Sequence, residues 1–459
     1  MKWPSLGYIG LWMLIGTAAF AGEEVAEVRP GVIREIRVEA KRTDPKVILN
    51  ELTFSTGETL RQTDLDESRQ NLLRLGLFRN LDLETEWEEA QDGYRVTVRA
   101  DDGWFILPIP MFGSRGGDSF AALMLMERNY FRRSEGMMLW GSHSAGQSSG
   151  MLLITLPGFH ALGGMAETRL NQYEYDDGAF NAKVFHDDAE GQRPEDFGTV
   201  TNQYRRLVRR TYGEAGGRVS PWLRLSGGLS FSSVAYDRIQ IQDPGDSGDL
   251  NAWNLTLEIG REGRGDPALQ GGAFGSFGRI FGLGMAGVKE SLKPLSRMET
   301  ARIIRLMMER GEPGLGSDEE YTKGLAGVDQ AVLFRNRSML SISLKGAAGD
   351  RLPPSQLWAT GQRGLLKGLY AREYRGESLV AGSVSWNQPF LRNRIGLMTA
   401  EVFGDYALCR NDGNSHEQSG IGLTLTYRFW RFPLPLGGGA TYSFEDDNWQ
   451  YSIAVGGLF

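Results

Sequence analysis

From Trp104 to the C-terminus the sequence keeps returning to an apolar residue at every second position, and a period of two is the repeat of a β-strand, whose side chains alternate between the faces of a sheet. Ile421, Leu423, Leu425, Tyr427 and Phe429 share one face, and Gly422, Thr424, Thr426 and Arg428 take the other. Trp253, Leu255, Leu257 and Ile259 repeat the pattern against Asn254, Thr256 and Glu258, as Leu340, Ile342 and Leu344 do against Ser341, Ser343 and Lys345. The last segment carries Trp449, Tyr451, Ile453, Val455 and Phe459 on one face. A soluble sandwich would bury such faces, but it holds about 100 residues per domain, whereas this region runs without a break to residue 459. Strands of about ten residues with an oily face, a polar face and aromatic ends suit a transmembrane β-barrel around a wet lumen.

The N-terminus points to export. Lys2 precedes an apolar run from Leu6 to Phe20, and Ala19-Phe20-Ala21 offers a small-residue cleavage site, so residues 1–21 are expected to be a secretory signal peptide. No later stretch approaches the roughly 18 apolar residues of a membrane helix, so any crossing after export is made by strands. Cys409 is the single cysteine, and no internal disulfide can staple the fold. The net charge of −7 is spread along the chain and argues against a nucleic-acid partner, which needs clustered Lys and Arg.

Glycine, at 61 residues of 459, makes glycine motifs cheap by chance. The stretch GQSSG, Gly146 to Gly150, matches a nucleophile elbow around Ser148, yet it sits between two alternating strands as a hairpin turn would. Likewise GLGMAG, Gly282 to Gly287, lacks the βαβ unit of a dinucleotide loop. His143, His160, His186 and His416 show no metal-ligand spacing. The residues thus point to no catalytic site, cofactor or metal.

Residues 28–105 read as a separate α+β unit of order β-α-α-β-β. Val32, Ile36, Val38 and Ala40 line one face of a first strand. Asp44 and Pro45 begin a short helix, and Thr63 is the expected cap of a longer one carrying Leu65, Leu72 and Leu73 and ending at Gly76. Leu81, Leu83, Thr85 and Trp87, then Tyr94, Val96, Val98 and Ala100, alternate as two closing strands.

A secreted unit of this order followed by a long barrel with an aromatic terminus resembles the BamA/TamA superfamily, the bacterial surface-antigen type of outer-membrane assembly and translocation proteins. The small unit looks like a POTRA domain, above all in LLRLGLFRNLDLE, and LTLEIGREGRGDPALQGGAF resembles that family's strand, charged turn and next strand near mid-barrel. The resemblance implies an all-β barrel over residues 106–459 with 16 antiparallel strands. It places the chain in the outer membrane of a Gram-negative bacterium with the POTRA-like domain in the periplasm.

The stretch LKGLYAREYRGE falls where that family carries a long loop folded into the lumen, with an apolar-Arg-Gly-aromatic signature followed by a second glycine and an acid. Leu366, Lys367, Gly368 and Leu369 occupy it here, and Tyr374, Gly376 and Glu377 match its later half. Lysine in place of arginine loses the bidentate fork, and Leu369 stands where an aromatic packs. The resemblance further implies that inner-wall acids hold the loop's cation: Asp405 lies at the family's acid position and shares a strand face with Glu401, while Ser385 stands where the preceding strand often carries a glutamate. Five strands are expected after the loop, starting near Leu379, Ile395, Gly420, Leu434 and Trp449.

A barrel closes between its first and last strands, and that seam is where pairing opens without breaking a continuous sheet. Gly456 and Gly457 weaken the last strand, which ends at Phe459, and the first strand is expected near Ala121 to Glu127. The expected function is assembly or insertion of outer-membrane proteins through this lateral seam. Its partners would be the lipid bilayer, unfolded outer-membrane or secreted clients, and a periplasmic or inner-membrane protein at the POTRA-like domain. The alternatives are a secretion pore through the lumen and a diverged structural surface barrel.

Overall fold

The computed structural model describes residues 31–455 except 76, 91, 104–105, 116–117, 130–131, 134, 145–146, 157–160, 177–182, 187–198, 221, 238, 241–243, 262–297, 361–365, 367–372, 430–434 and 446. The expected signal peptide, Gly76, Lys367, Gly368, Leu369, Gly456, Gly457, Phe459 and the later part of the mid-barrel motif lie outside the described residues.

The N-terminal unit runs β1 (Gly31–Ala40), α1 (Pro45–Asn50), β2 (Thr59–Leu60), α2 (Gln62–Arg74), β3 (Phe78–Glu88) and β4 (Gly93–Asp102), with sheet order β2-β1-β4-β3. Asp44 caps α1 by accepting from the Lys46 amide at 2.9 Å. The cap of α2 is Arg61 rather than Thr63, because Asp64 already satisfies that end by accepting from the Arg61 amide at 3.2 Å. Ile48, Leu72 and Leu73 bury the helices against Phe78, Leu81, Val98 and Ala100 of the sheet. The two-residue β2 is an element too short for a period to reveal.

Sixteen long antiparallel strands then close a barrel. In order they are Ile106–Arg115, Asp118–Arg128, Gly136–Ser144, Gln147–Leu156, Ala161–Asp176, Thr199–Ser220, Leu223–Asp237, Ala252–Arg261, Glu299–Gly311, Tyr321–Leu333, Met339–Asp350, Ser378–Arg392, Gly396–Asn411, Asn414–Phe429, Leu436–Ser443 and Asn448–Val455. Outward rows are apolar: Leu123, Leu255, Leu344, Val402, Ile421, Leu423, Tyr451 and Ile453 are all exposed. The inward rows of the twelfth to sixteenth strands carry buried Ser383, Ser385, Asp405, Gln418, Thr441 and Gln450.

Three expectations need correction. The first barrel strand is Ile106–Arg115, and Ala121 to Glu127 belong to the second. Pro108 and Pro110 hide that first strand from a sequence reading, since proline is tolerated only at a sheet edge. Gly420 lies six residues inside the fourteenth strand, which starts at Asn414 in a run too polar to alternate visibly. Nor is the lumen wet all round: Ile109, Met111, Met124 and Trp140 form a buried inner cluster on the first three strands, joined by Met126, Met138 and Met151. Met137 and Leu139 face outward next to inward Met138 and Trp140, so both faces are apolar there. As for GQSSG, Ser148 is a strand residue whose hydroxyl lies 2.9 Å from His143 Nδ1 across a hairpin, without a helix to make an elbow.

The small domain is tied to the barrel rim. Only residues 103–105 separate β4 from the first barrel strand. Fully buried Asn129, in the turn after the second strand, adopts a left-handed φ of 71° and donates from Nδ2 to Thr43 Oγ1 at 2.9 Å. Thr43 Oγ1 donates in turn to Asp102 Oδ1 at 2.5 Å, and the Asp44 amide reaches the Arg132 carbonyl at 3.0 Å. Asn129→Ala should weaken this docking by about 1–3 kcal/mol, the cost of a buried polar group left without its partner. Faster hydrogen exchange at the Asp44 amide is the expected readout, and an unchanged rate would refute the tie.

Candidate functional site

Two features stand out from the regular wall: the join between its ends and a strap across its bore. At the join, among the described residues, the last strand meets the first through four residue pairs, from Ser452↔Arg115 to Val455↔Phe112. The first strand pairs with the second through ten, and the last with the fifteenth through eight. Approach is close at this join: a Cβ on Gly113 would lie 2.2 Å from the Ile453 carbonyl oxygen. The described strands are also short here. The fifteenth and sixteenth strands have 8 described residues each and the first four have 9 to 11, against 15 to 22 in the fifth to seventh.

The strap is the connection between the eleventh and twelfth strands. Trp358 and Ala359 pair with Arg375 and Gly376, and Tyr374 and Glu373 pair with Lys183 and Val184, a short strand beside the fifth. Trp358 and Tyr374 are buried against Ala347, Leu379, Ala381, Ala407 and Cys409 of the inner wall. The connection therefore descends into the barrel and crosses to its other side.

Three groups of contacts hold it to the rest of the barrel, and one pair closes it on itself. Asp246 Oδ2 accepts from the Ser355 amide at 2.7 Å, and its Oδ1 accepts from the Tyr236 hydroxyl at 2.7 Å. Lys323 donates to Gln356 Oε1 at 2.6 Å, pairs with buried Glu309 at 3.0 Å, and lies 5.7 Å from the centre of the Trp358 ring. Thr360 and Tyr374 exchange hydrogen bonds of 3.0 Å. Finally, Tyr374 stacks on His416 at 3.5 Å between ring centres, and its hydroxyl reaches Glu445 at 3.3 Å, with His416 Nε2 against the same carboxylate. Glu445 lies in the turn that leads into the last strand, so strap and join are neighbours.

A sixteen-stranded barrel preceded by an α+β unit is similar to known folds. Residues 31–103 match the POTRA family, described as a surface antigen variable number repeat. BamA from Haemophilus ducreyi lacking POTRA domains 1–3 superposes with a TM-score of 0.52 and 13% identity over 93% of this chain and 85% of that one. CdiB from Escherichia coli gives 0.61 and 12% over 92% and 76%, and CdiB from Acinetobacter baumannii 0.59 and 12% over 93% and 74%. Comparison with curated protein sequences gives no match. This is a single-POTRA barrel of the BamA and CdiB fold.

Within that fold, half-buried Leu366 packs against the strap's apolar cluster, and buried Tyr374 and Gly376 sit in the strap hairpin. Exposed Glu377 ends the strap, its carbonyl accepting from the Gly349 amide at 2.9 Å. Asp405 and Ser385 are buried and Glu401 half-buried on the inner rows of the thirteenth and twelfth strands. Residues that sequence reasoning passed over are Asp246, Lys323, Glu309, Trp358, His416 and Glu445. Each stands alone in its stretch of sequence, and only barrel closure brings them to the strap. The seam prolines left a readable signal, two prolines at alternate positions, which suits a strand with one face of its ladder left without donors.

Asp246→Ala removes two hydrogen bonds from a charged group and should loosen the strap by about 1.5–3 kcal/mol. In planar bilayers this variant should dwell in an open, conducting state at least about tenfold longer than the parent chain. A variant that stays as closed as the parent would show that Asp246 does not hold the strap.

Proposed function

We propose that this chain is an outer-membrane assembly factor that admits client β-strands laterally through the seam between Ile106–Arg115 and Asn448–Val455, with no enzymatic step. The observation that supports the reading is the join itself, which has four described pairs and lies beside strands with few described residues. In lipid every backbone N–H and C=O needs a partner. A client strand escapes that cost by pairing with a strand edge as it leaves water, and the seam is the part of the wall that yields such edges for the fewest broken pairs. Low strands on both sides lessen the hydrocarbon a client has to cross.

The POTRA domain then lies in the periplasm. Its outer strand β3, at the sheet edge beyond β4, presents a row of backbone groups that suits β-augmentation by a client or partner protein. Passage of a polypeptide through the lumen is the competing reading. It would require the strap to leave Asp246, Lys323, His416 and Glu445 together, whereas lateral admission leaves these contacts in place.

Ser114 and Ile453 oppose each other across the seam. The pair Ser114→Cys with Ile453→Cys, oxidised to a disulfide, should abolish insertion of an unfolded outer-membrane barrel into lipid vesicles. Reduction should restore it, with the folded barrel's heat-modifiable gel mobility intact throughout. Full activity in the oxidised protein would refute lateral admission.

A further inference from the structure

On the outer face of the fifth and sixth strands three charged side chains stand together. Glu167 lies opposite Arg209 across these strands, and Arg169 is the next outward residue above Glu167. Arg169 donates from Nη2 to Glu167 Oε1 and Arg209 from Nε to Oε2, each at 2.9 Å. Both arginines are exposed and Glu167 is half-buried between them.

The height of this triad on the wall is fixed by its neighbours. Arg169 and Glu167 lie opposite Ser148 and Gly150 of the short fourth strand, beside the hairpin that joins it to the third. The POTRA domain is tied to the other rim, through Asn129 in the turn after the second strand. Below the triad the outward side chains are apolar: Met165, Ile154, Leu229 and Phe231 are all exposed. Above it they are polar, with Asn171 opposite Arg205 and Arg205 paired to Asp237. Charge facing lipid is costly at the bilayer midplane and nearly free at the interface, so the triad marks the border between acyl chains and headgroups.

The chemistry of the triad is that of an anion receptor. Two guanidiniums share one carboxylate, which leaves one positive charge uncompensated within the group. Each guanidinium brings five N–H donors, and one carboxylate has only about four lone-pair sites to accept them. Arginine donors in a planar fork match phosphate oxygens, and cations near a bilayer surface are drawn to its anionic headgroups. An exposed ion pair contributes little to stability by itself and would need one arginine rather than two. Beneath the triad Gly163 lies opposite Gly213, and a Cβ on Gly213 would meet nothing within 4 Å, so the wall leaves room for an acyl chain there.

We propose that Arg169 and Arg209, held side by side by Glu167, bind the phosphate of a lipid headgroup in the outer leaflet. The proposal rests on the outer-membrane reading, which turns this rim outward, and goes beyond it by assigning the wall a lipid ligand far from the seam.

The test titrates the full chain, purified in detergent, with lipid A, an acylated glucosamine disaccharide bisphosphate, and reads the bound fraction by native mass spectrometry. Arg169→Gln with Arg209→Gln should weaken binding about tenfold, equivalent to about 1.4 kcal/mol. Each single variant should lose less, which keeps the test alive if the double variant does not fold. Glu167→Gln keeps both cations and removes the competing acid, so it should tighten binding, which a purely structural ion-pair network would not do. Arg302→Gln, at an exposed arginine on an outward row near the opposite rim, should leave binding unchanged.

Equal affinity for the same lipid stripped of its phosphates, or an equal loss in Arg302→Gln, overturns the proposal. Displacement of the lipid by millimolar inorganic phosphate would assign the triad to a free anion and overturns it too. Weaker binding in Glu167→Gln overturns the charge argument. Failure of the chain to reconstitute in lipid vesicles as a heat-modifiable barrel would sink the outer-membrane reading instead, a result separate from lipid indifference in a barrel that does insert.

Discussion

The requirement that every backbone hydrogen-bonding group be satisfied away from water governs this molecule. A sheet with outward rows of Leu, Ile and Val meets that requirement in lipid only by closing on itself. Closure makes one pair of neighbours special, because the first and last strands are joined by nothing but their ladder. Here that ladder has four described pairs, and the last two strands have the fewest described residues of the sixteen, eight each. The demand that seals the wall thus also concentrates its weakness in one place.

The strap answers a second demand. A sixteen-stranded wall encloses more space than its own side chains fill, and the connection after the eleventh strand crosses that space. Its anchors are mostly charged or polar groups: Asp246 at one end, Lys323 with Glu309 beside Trp358, and His416 with Glu445 against Tyr374. In a low-dielectric interior such contacts are costly to break singly, since the partner left behind remains buried and unpaired. They join walls several strands apart, so the strap braces the cylinder while obstructing its bore. The Glu445 contact carries that bracing to the turn before the last strand.

The α+β domain is mechanically close to the same place. Three residues separate β4 from the strand that forms one lip of the seam, and Asn129 binds Thr43 from the turn after the neighbouring strand. A pull on the POTRA domain therefore acts first on a strand that forms one lip of the seam.

Much of this was legible in the residues. Alternation in Ile421 to Phe429 and in Trp253 to Ile259 named membrane strands, because one face of each meets lipid and the other does not. Asp44-Pro45 named a helix start for the same local reason. Alternation failed where proline interrupts, at Ile106 to Met111. The strap's anchors were illegible altogether: Asp246, Lys323 and His416 are isolated polar residues in sequence, and their meeting depends on the order in which sixteen strands close. The sequence by itself determined the strand period, the face each side chain takes and the two missing donors of the first strand, all of which are set by covalent structure and nearest neighbours. Only the tertiary structure decided which strands meet at the seam, how few pairs hold them and what grips the strap, because those are contacts between segments that nothing but closure brings together.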